Sequence, residues 1–245
     1  CVIVTVATRD EENADRPFAI TKEWGGDLPA RCGALNPRTV VVGITGGGFR
    51  MTGFKDKVGA IVLALFGGQT EGESIVDVLA GRVNPSGKLP FTIEKEFADS
   101  PGCVNGPVNR GAKGFCSTNP LANCSIAYNE GIFVGYRWYD HEHIQPLFPF
   151  GYGLSYTTFK YSHLKLSATR LSSDGSLTVA FTIKNTGKVA GAEIAQLYLQ
   201  EPNSGVERPV KELKGFQRVF LQPGKSATVE LSLDPKALAY WDVAT

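Results

Sequence analysis

Residues Tyr128–Phe159 read YNEGIFVGYRWYDHEHIQPLFPFGYGLSYTTF. Ten of these 32 residues are Phe, Tyr or Trp, and Gly and Pro interrupt them so often that no helical or strand period survives over the full length. Secondary-structure propensity contributes little to such a segment. It is held by rings packing on neighbouring surfaces, with Gly and Pro setting sharp backbone turns.

The patterns on its two sides differ. Upstream, Val2–Ala7, Thr39–Ile44 and Ala60–Leu65 are apolar or β-branched runs flanked by loops. Runs apolar on both faces suit a mainly parallel sheet covered by helices. Leu28–Leu35 predicts a short helix stopped by Asn36-Pro37. Glu71–Leu79 predicts another, with Ile75, Val76 and Leu79 on one stripe and Gly81 as its stop. Lys88–Ile93 reads as a final short strand, and residues 96–127 as loop. Beyond Tyr161 the sequence alternates in Ser162–Leu166, Leu177–Lys184, Glu193–Leu199, Glu212–Phe220 and Ser226–Leu233. Ser173-Asp174-Gly175, Asn185-Thr186-Gly187, Asn203-Ser204-Gly205 and Pro223-Gly224 separate these runs as turns. Short strands with regular turns mean a β-sandwich. It carries no cysteine, so an antibody-type disulfide is excluded. The expected division is 1–95, a partial α/β domain; 96–160, a loop insertion and aromatic connector; and 161–245, an all-β sandwich.

A hydrophobic content of 42% in 245 residues supports a real core, and Lys+Arg 25 against Asp+Glu 24 argues against nucleic acid or an anionic membrane as partner. The longest greasy stretch, Val58–Phe66, has the length of a buried strand and not of a membrane span. The opening Cys1–Ala7 already has a strand pattern, without initiator Met or leader, which leads us to expect further chain upstream. The cysteines are Cys1, Cys32, Cys103, Cys116 and Cys124; the separations of the last three, 13 and 8 residues, fit no zinc pattern. Their clustering, together with the Asn123-Cys124-Ser125 sequon, points to a secreted, glycosylated protein with a disulfide among Cys103, Cys116 and Cys124. Cys103–Cys116 is the first choice; free thiols are the plainer alternative.

Four segments in order, Ala64–Glu73 (ALFGGQTEGE), Gly81–Phe91 (GRVNPSGKLPF), the aromatic stretch and Arg208–Phe216 (RPVKELKGF), resemble family 3 glycoside hydrolases, the β-glucosidase and β-xylosidase family. The resemblance runs from about Val2 to Asp242. It implies an α/β sandwich followed by a fibronectin type III-like domain. In that family a (β/α)8 barrel carrying the nucleophilic Asp precedes these segments; no such barrel stands in this sequence. The resemblance implies no cofactor and no metal. The implied partners are carbohydrate and a barrel from the same or a separate chain.

Retaining glycosidases need two carboxylates, one held protonated as general acid. In the resembled family the acid/base Glu lies on a loop after a strand, in a Gly-Glu-Gly-Tyr-Asp-Arg-like sequence. Here Val2–Ala7 is followed by Thr8-Arg9-Asp10-Glu11-Glu12-Asn13-Ala14-Asp15-Arg16-Pro17. Anchoring on Asp15-Arg16-Pro17 implies Glu12 as acid/base and Arg16 as a sugar contact. Glu11 and Asn13 replace the flanking glycines, and Ala14 replaces an aromatic that would wall the sugar site. Asp10 and Glu11 would favour protonation of Glu12 by like-charge repulsion. An acidic loop is otherwise an ordinary solvated surface.

Trp138, Tyr136 and Tyr139 are candidate sugar platforms, because pyranose C–H bonds stack on ring faces; core packing is the plainer role for the same rings. Gly43–Gly48 (GITGGG) follows a strand but lacks the Gly-Lys-Ser/Thr ending of a phosphate loop, and reads as a turn needing positive φ. Asn84-Pro85-Ser86-Gly87-Lys88 reads as a turn with Gly87 left-handed. His141-Glu142-His143 lacks an evident third metal ligand and reads as a solvated turn.

The expected function is therefore the C-terminal portion of a retaining β-glycosidase, inactive without its barrel. The competing class is a non-catalytic carbohydrate-binding or storage/defence protein of the same fold. The connector rings around Phe133 and Trp138 are the expected face toward the barrel, and a possible surface for self-association.

Overall fold

The computed structural model describes residues 1–10, 18–20, 22, 25–104, 129–172 and 174–241. The chain divides into two compact units. The first comprises Cys1–Asp77 and Pro90–Phe150; the second comprises Val78–Leu89 and Gly151–Thr245. The division falls inside the aromatic stretch, and each side of the stretch packs within its own unit.

The first unit is built on a three-stranded parallel sheet, β1 (Val2–Ala7), β2 (Thr39–Ile44) and β3 (Ala60–Leu63), in that spatial order. Val4 pairs with Val41, and Val41 with Ile61. The central strand is the most buried: Val41 is 0% and Val42 1% exposed, as befits a parallel strand apolar on both faces. On β1 only one face is covered, with Val4 and Val6 buried and Ile3 exposed. Helix α1 (Leu28–Leu35) starts with Pro29 in its first turn, where a missing N–H costs nothing. Its Gly33 lets it lie against the chain: a Cβ there would sit 2.6 Å from the Lys57 carbonyl oxygen. Helix α2 (Glu71–Leu79) ends at Gly81, which takes φ +73° and donates its amide to the Val78 carbonyl, as the sequence led us to expect.

Three expectations in this unit need correction. Strand β3 stops at Leu63 and not at Leu65, because Leu65 is left-handed at φ +54° and breaks the extended run. Lys88–Ile93 is not a strand; only Ile93 bridges, to Phe148. Pro90 has no N–H to give a ladder. The supposed loop after residue 96 starts with a 3-10 turn at Phe97–Asp99, closed by a Glu96/Asp99 capping box, and helix α3 (Pro101–Val104). The aromatic stretch likewise contains a helix, α4 (Tyr136–His141), whose six residues are too few to impose a visible period.

The second unit is a sandwich of two antiparallel sheets. One has the order β4 (Phe159–Leu166), β5 (Leu177–Asn185), β8 (Ser226–Leu233); the other pairs β6 (Gly191–Leu199) with β7 (Glu212–Leu221). Ile183 and Val229 from the first meet Ala195 and Leu221 from the second, with Phe159, Phe181, Val219 and Leu231 packed around them. Strand β4 bulges between Ser162 and Lys165, where His163 takes φ +55°. A bulge on an exposed edge strand discourages pairing with other chains. A short helix, α5 (Pro235–Leu238), follows β8, capped by the Asp234 carboxylate.

The Asn84–Lys88 segment is a clamp in this unit. The Asn84 side chain donates to the Ala190 carbonyl at 2.9 Å and accepts from the Ser155 hydroxyl at 2.9 Å and the Tyr156 amide at 2.8 Å. Lys88 donates to the Gly153 carbonyl at 2.8 Å and to Glu193 at 3.3 Å. Gly87 is not left-handed as expected. The glycine that matters is Gly153, where a Cβ would lie 2.1 Å from the Gly87 carbonyl oxygen.

Candidate functional site

The three parallel strands end side by side. Loops at the carboxyl ends of such strands are where open α/β sheets build their sites. The Thr8 amide donates to the Ile44 carbonyl at 3.2 Å and the Ala64 amide to the Gly43 carbonyl at 2.9 Å, so register persists to the edge. Immediately beyond, the Asp10 carboxylate accepts the Thr8 hydroxyl and, at 3.0 Å, the Gly46 amide. An ionised carboxylate only accepts, and here it ties the segment leaving β1 to the turn leaving β2.

The turn after β2 also departs from expectation. None of Gly43, Gly46 and Gly48 takes positive φ. Close approach explains two of them. A Cβ on Gly43 would lie 3.0 Å from the Phe49 ring, and one on Gly46 would lie 3.0 Å from Asp10 Cγ and 3.1 Å from the Phe66 ring. The Thr45 hydroxyl closes the turn on the Gly47 carbonyl at 2.7 Å. Just past the third strand, left-handed Leu65 swings the chain out, and Phe66 stands 57% exposed at the same edge. Left-handed backbone in a bulky residue is costly and concentrates at functional positions. Glu71 opens α2 with its Oε1 buried and without a hydrogen-bond partner among the described residues.

Of the residues the sequence nominates, Glu12, Arg16, Cys116, Asn123 and Cys124 lie outside the described residues. Cys103 lies in α3, and its side chain is likewise outside them. Cys1 and Cys32 are free thiols. Tyr136 and Trp138 are described, on α4. The Tyr136 ring stacks on Phe150 with centroids 4.9 Å apart, and the Arg137 guanidinium lies 5.9 Å above it. The Trp138 indole N–H donates to the Asp99 carbonyl at 3.1 Å. Next to them Tyr139 is buried, and burial first, then the charges of Glu94 and Asp99, push its hydroxyl pKa above the ordinary tyrosine value. His141 is no free turn residue: its ring stacks on Phe133 at 3.8 Å. Among the described residues no group of three or more His, Cys, Asp or Glu is arranged to hold a metal ion. No described helix is long and apolar enough to cross a membrane.

Sequence reasoning missed Asp10, Gly46, Leu65 and Phe66 as one cluster. Each sits just past a strand end, and that shared position was the available signal.

Residues 1–156 match the family model for the glycosyl hydrolase family 3 C-terminal domain, and residues 193–245 that for the fibronectin type III-like domain. A β-glucosidase of Bacteroides ovatus is 43% identical over 85% of this chain and 26% of its own length. The thermostable β-glucosidase B of Acetivibrio thermocellus is 40% identical over 95% of this chain and 29% of its own. The chain thus spans less than a third of the curated relatives it matches. Among solved structures, a family 3 β-glucosidase from Bifidobacterium adolescentis superposes with a TM-score of 0.85 at 33% identity, over 99% of this chain and 34% of that one. The β-glucosidase 3B of Thermotoga neapolitana, in complex with glucose, gives 0.81 at 31% identity over 98% of this chain and 33% of that one. With more than half the chain matched by its domain model, this protein belongs to glycoside hydrolase family 3, as C-terminal domain plus fibronectin type III-like domain.

Proposed function

We propose that this chain is the C-terminal portion of a retaining β-glycosidase acting on terminal β-glucosides or β-xylosides, with Glu12 as its general acid/base. The carrying observation is the tie between Asp10 and Gly46, which anchors the segment leaving β1 two residues before Glu12. Glu12 protonates the leaving-group oxygen in the first step and takes a proton from water in the second. The nucleophilic carboxylate comes from a barrel, in the same or a separate chain, and Arg16 contacts the sugar. In the first unit the parallel sheet is one layer of an α/β sandwich. The contacts of Tyr136 and Trp138 support packing of the connector over sugar stacking. The sequon at Asn123 and the cluster Cys103, Cys116 and Cys124 support a secreted glycoprotein.

The replacement of the family's aromatic by Ala14 favours a second reading, a carbohydrate-binding protein without hydrolysis. One experiment separates them. The chain is fused behind a family 3 barrel and assayed on 4-nitrophenyl β-glucoside and β-xyloside. Hydrolysis that Glu12→Gln lowers by about a hundredfold or more supports the enzyme reading. Sugar binding with no turnover in the fusion supports the other.

A further inference from the structure

We infer that the outward face of the three-stranded sheet β4–β5–β8 is a docking surface for an acidic polysaccharide, one that repeats carboxylates along its chain. Alternation defines the face. Val179, Ile183, Val229 and Leu233 are buried on the sandwich side, so Lys184 on β5 and Ser226, Thr228 and Glu230 on β8 stand on the other. Lys160 of β4 pairs directly with Lys184, and Ser162 with Thr182. Lys165 comes five residues after Lys160, and on a regular strand the two would point to opposite sides. The bulge between Ser162 and Lys165, where His163 takes φ +55°, inserts one residue and sets Lys165 opposite Ala180, on the same face as Lys160. At a rise of about 3.3 Å per residue, the Lys160–Lys184 pair and Lys165 are about 13 Å apart along the sheet.

Charge decides what this face takes. Like charges directly opposite each other destabilise an antiparallel pair, and an anion lying across them removes the repulsion. Lys160, Lys165 and Lys184 are exposed and make no ion pair among the described residues. By contrast, Lys88 is paired with Glu193, Arg208 with Glu201 and Glu212, and Lys214 with Glu212. Glu230 is the only acidic residue in the three strands. Residues 78–89 and 151–245 hold 13 Lys and Arg against 8 Asp and Glu, net +5, where the rest of the chain is net −4. Between the lysines runs a row of hydroxyls, Ser162, Thr182 and Thr228, able to exchange hydrogen bonds with sugar hydroxyls. No outward position on these strands carries Phe, Tyr or Trp, the platforms on which nucleic-acid bases stack.

The test is affinity electrophoresis of the 245-residue chain in gels holding polygalacturonate, dextran or duplex DNA. Polygalacturonate is expected to retard the chain and dextran is not. The retardation fades between about 20 and 300 mM salt, as screening of exposed charges requires. Lys160→Gln/Lys184→Gln weakens binding about fivefold or more, and Lys165→Gln about two- to threefold. Lys57→Gln/Lys236→Gln removes the same charge from exposed positions elsewhere and leaves binding at the wild-type level. The Tm of Lys160→Gln/Lys184→Gln stays at or above that of the wild type, because an opposed pair of like charges is gone. If that variant loses Tm, Lys165→Gln carries the same expectation alone. Absence of retardation by polygalacturonate, retardation insensitive to salt, or an equal loss in the two double variants overturns the inference. So does tighter binding of duplex DNA than of polygalacturonate at the same salt. Failure of the glycosidase reading looks different: full hydrolysis by Glu12→Gln in the barrel fusion leaves the retardation as it was.

Discussion

Thr157 donates its hydroxyl to the side-chain oxygen of Asn185 at 2.6 Å, and both residues are buried, at 8% and 0% exposure. The Asn185 oxygen also accepts the Gly187 amide at 3.1 Å. Its nitrogen donates to the carbonyls of Val189 at 2.8 Å and Leu221 at 3.0 Å. One carboxamide thus satisfies four polar groups inside the sandwich, and an apolar replacement strands all of them. Asn185→Leu is expected to cost about 3 kcal/mol or more, since each buried group left unpaired costs about 1–3 kcal/mol. Urea unfolding followed by tryptophan fluorescence measures it, and a loss below about 1 kcal/mol would contradict the account.

A second prediction concerns alkaline stability. Tyr139 and Tyr161 both have hydroxyl pKa values raised above the ordinary value of 10.0. Burial is the main cause in each, followed by Glu94 and Asp99 at Tyr139 and by Glu193 at Tyr161. A raised folded-state pKa means that the folded state keeps a proton the unfolded chain gives up. The stabilisation is whole below about pH 10, declines above it and is gone once the folded-state pKa is passed. Thermal melts of the wild type should therefore fall from about pH 10 upward. Tyr139→Phe and Tyr161→Phe each flatten that fall. A Tyr161→Phe profile parallel to the wild type would remove the argument for that residue.

Gly33→Ala tests the seat of helix α1. The new methyl would meet backbone at 2.6 Å, so the helix itself must move. The intrinsic gain of Ala over Gly in a helix, about 1 kcal/mol, is outweighed by overpacking of about 1–3 kcal/mol. A net loss of Tm is the expected result; a gain would mean that the helix has slack.

Phe133→Ala tests the connector. Phe133 is 7% exposed and stacked on His141, whereas its neighbour Val134 is 59% exposed. Truncation of the ring should cost about 3–5 kcal/mol, and Val134→Ser should cost little. If Phe133→Ala instead keeps the Tm and only lowers self-association in sedimentation, the ring is an interface residue.

The disulfide is testable by thiol mapping. Without reductant, Cys1 and Cys32 should alkylate as free thiols, while two of Cys103, Cys116 and Cys124 stay protected. A closed loop of that size stabilises by about 3 kcal/mol in the chain-entropy model. Alkylation of all three refutes it.

Much of the fold was legible because it rests on periodicity. The β-branched runs at Val2–Ala7 and Thr39–Ile44 and the alternation at Ser226–Leu233 became strands at those limits. Helices α1 and α2 were marked by their stops, Asn36-Pro37 and Gly81. What stayed hidden depends on contacts distant in sequence. Helix α4 is too short to show a period, and is held where Trp138 reaches Asp99. The end of β3 is set by one dihedral at Leu65, in a residue type that gives no warning of it. At the site, the turn after β2 was legible as glycine-rich, but its reason was not. Gly46 answers to Asp10, thirty-six positions away, and to the Phe66 ring just past the third strand.

Leu89 and the pair Gly151–Tyr152 exchange backbone hydrogen bonds, Gly151 amide to Leu89 carbonyl and Leu89 amide to Tyr152 carbonyl, each at 2.8 Å. The chain therefore leaves the second unit after Leu89 and re-enters it at Gly151, with residues 90–150 a parenthesis in the covalent order. Genetic surgery has its natural cut there. A two-residue turn spliced between Leu89 and Gly151 would leave the sandwich with every strand it now has, together with the Asn84 clamp that braces it. A cut at 160 would discard that clamp. It also fixes an order of birth on the ribosome: the stretch Val78–Leu89 is made early, and waits for its partners until the whole parenthesis has been translated.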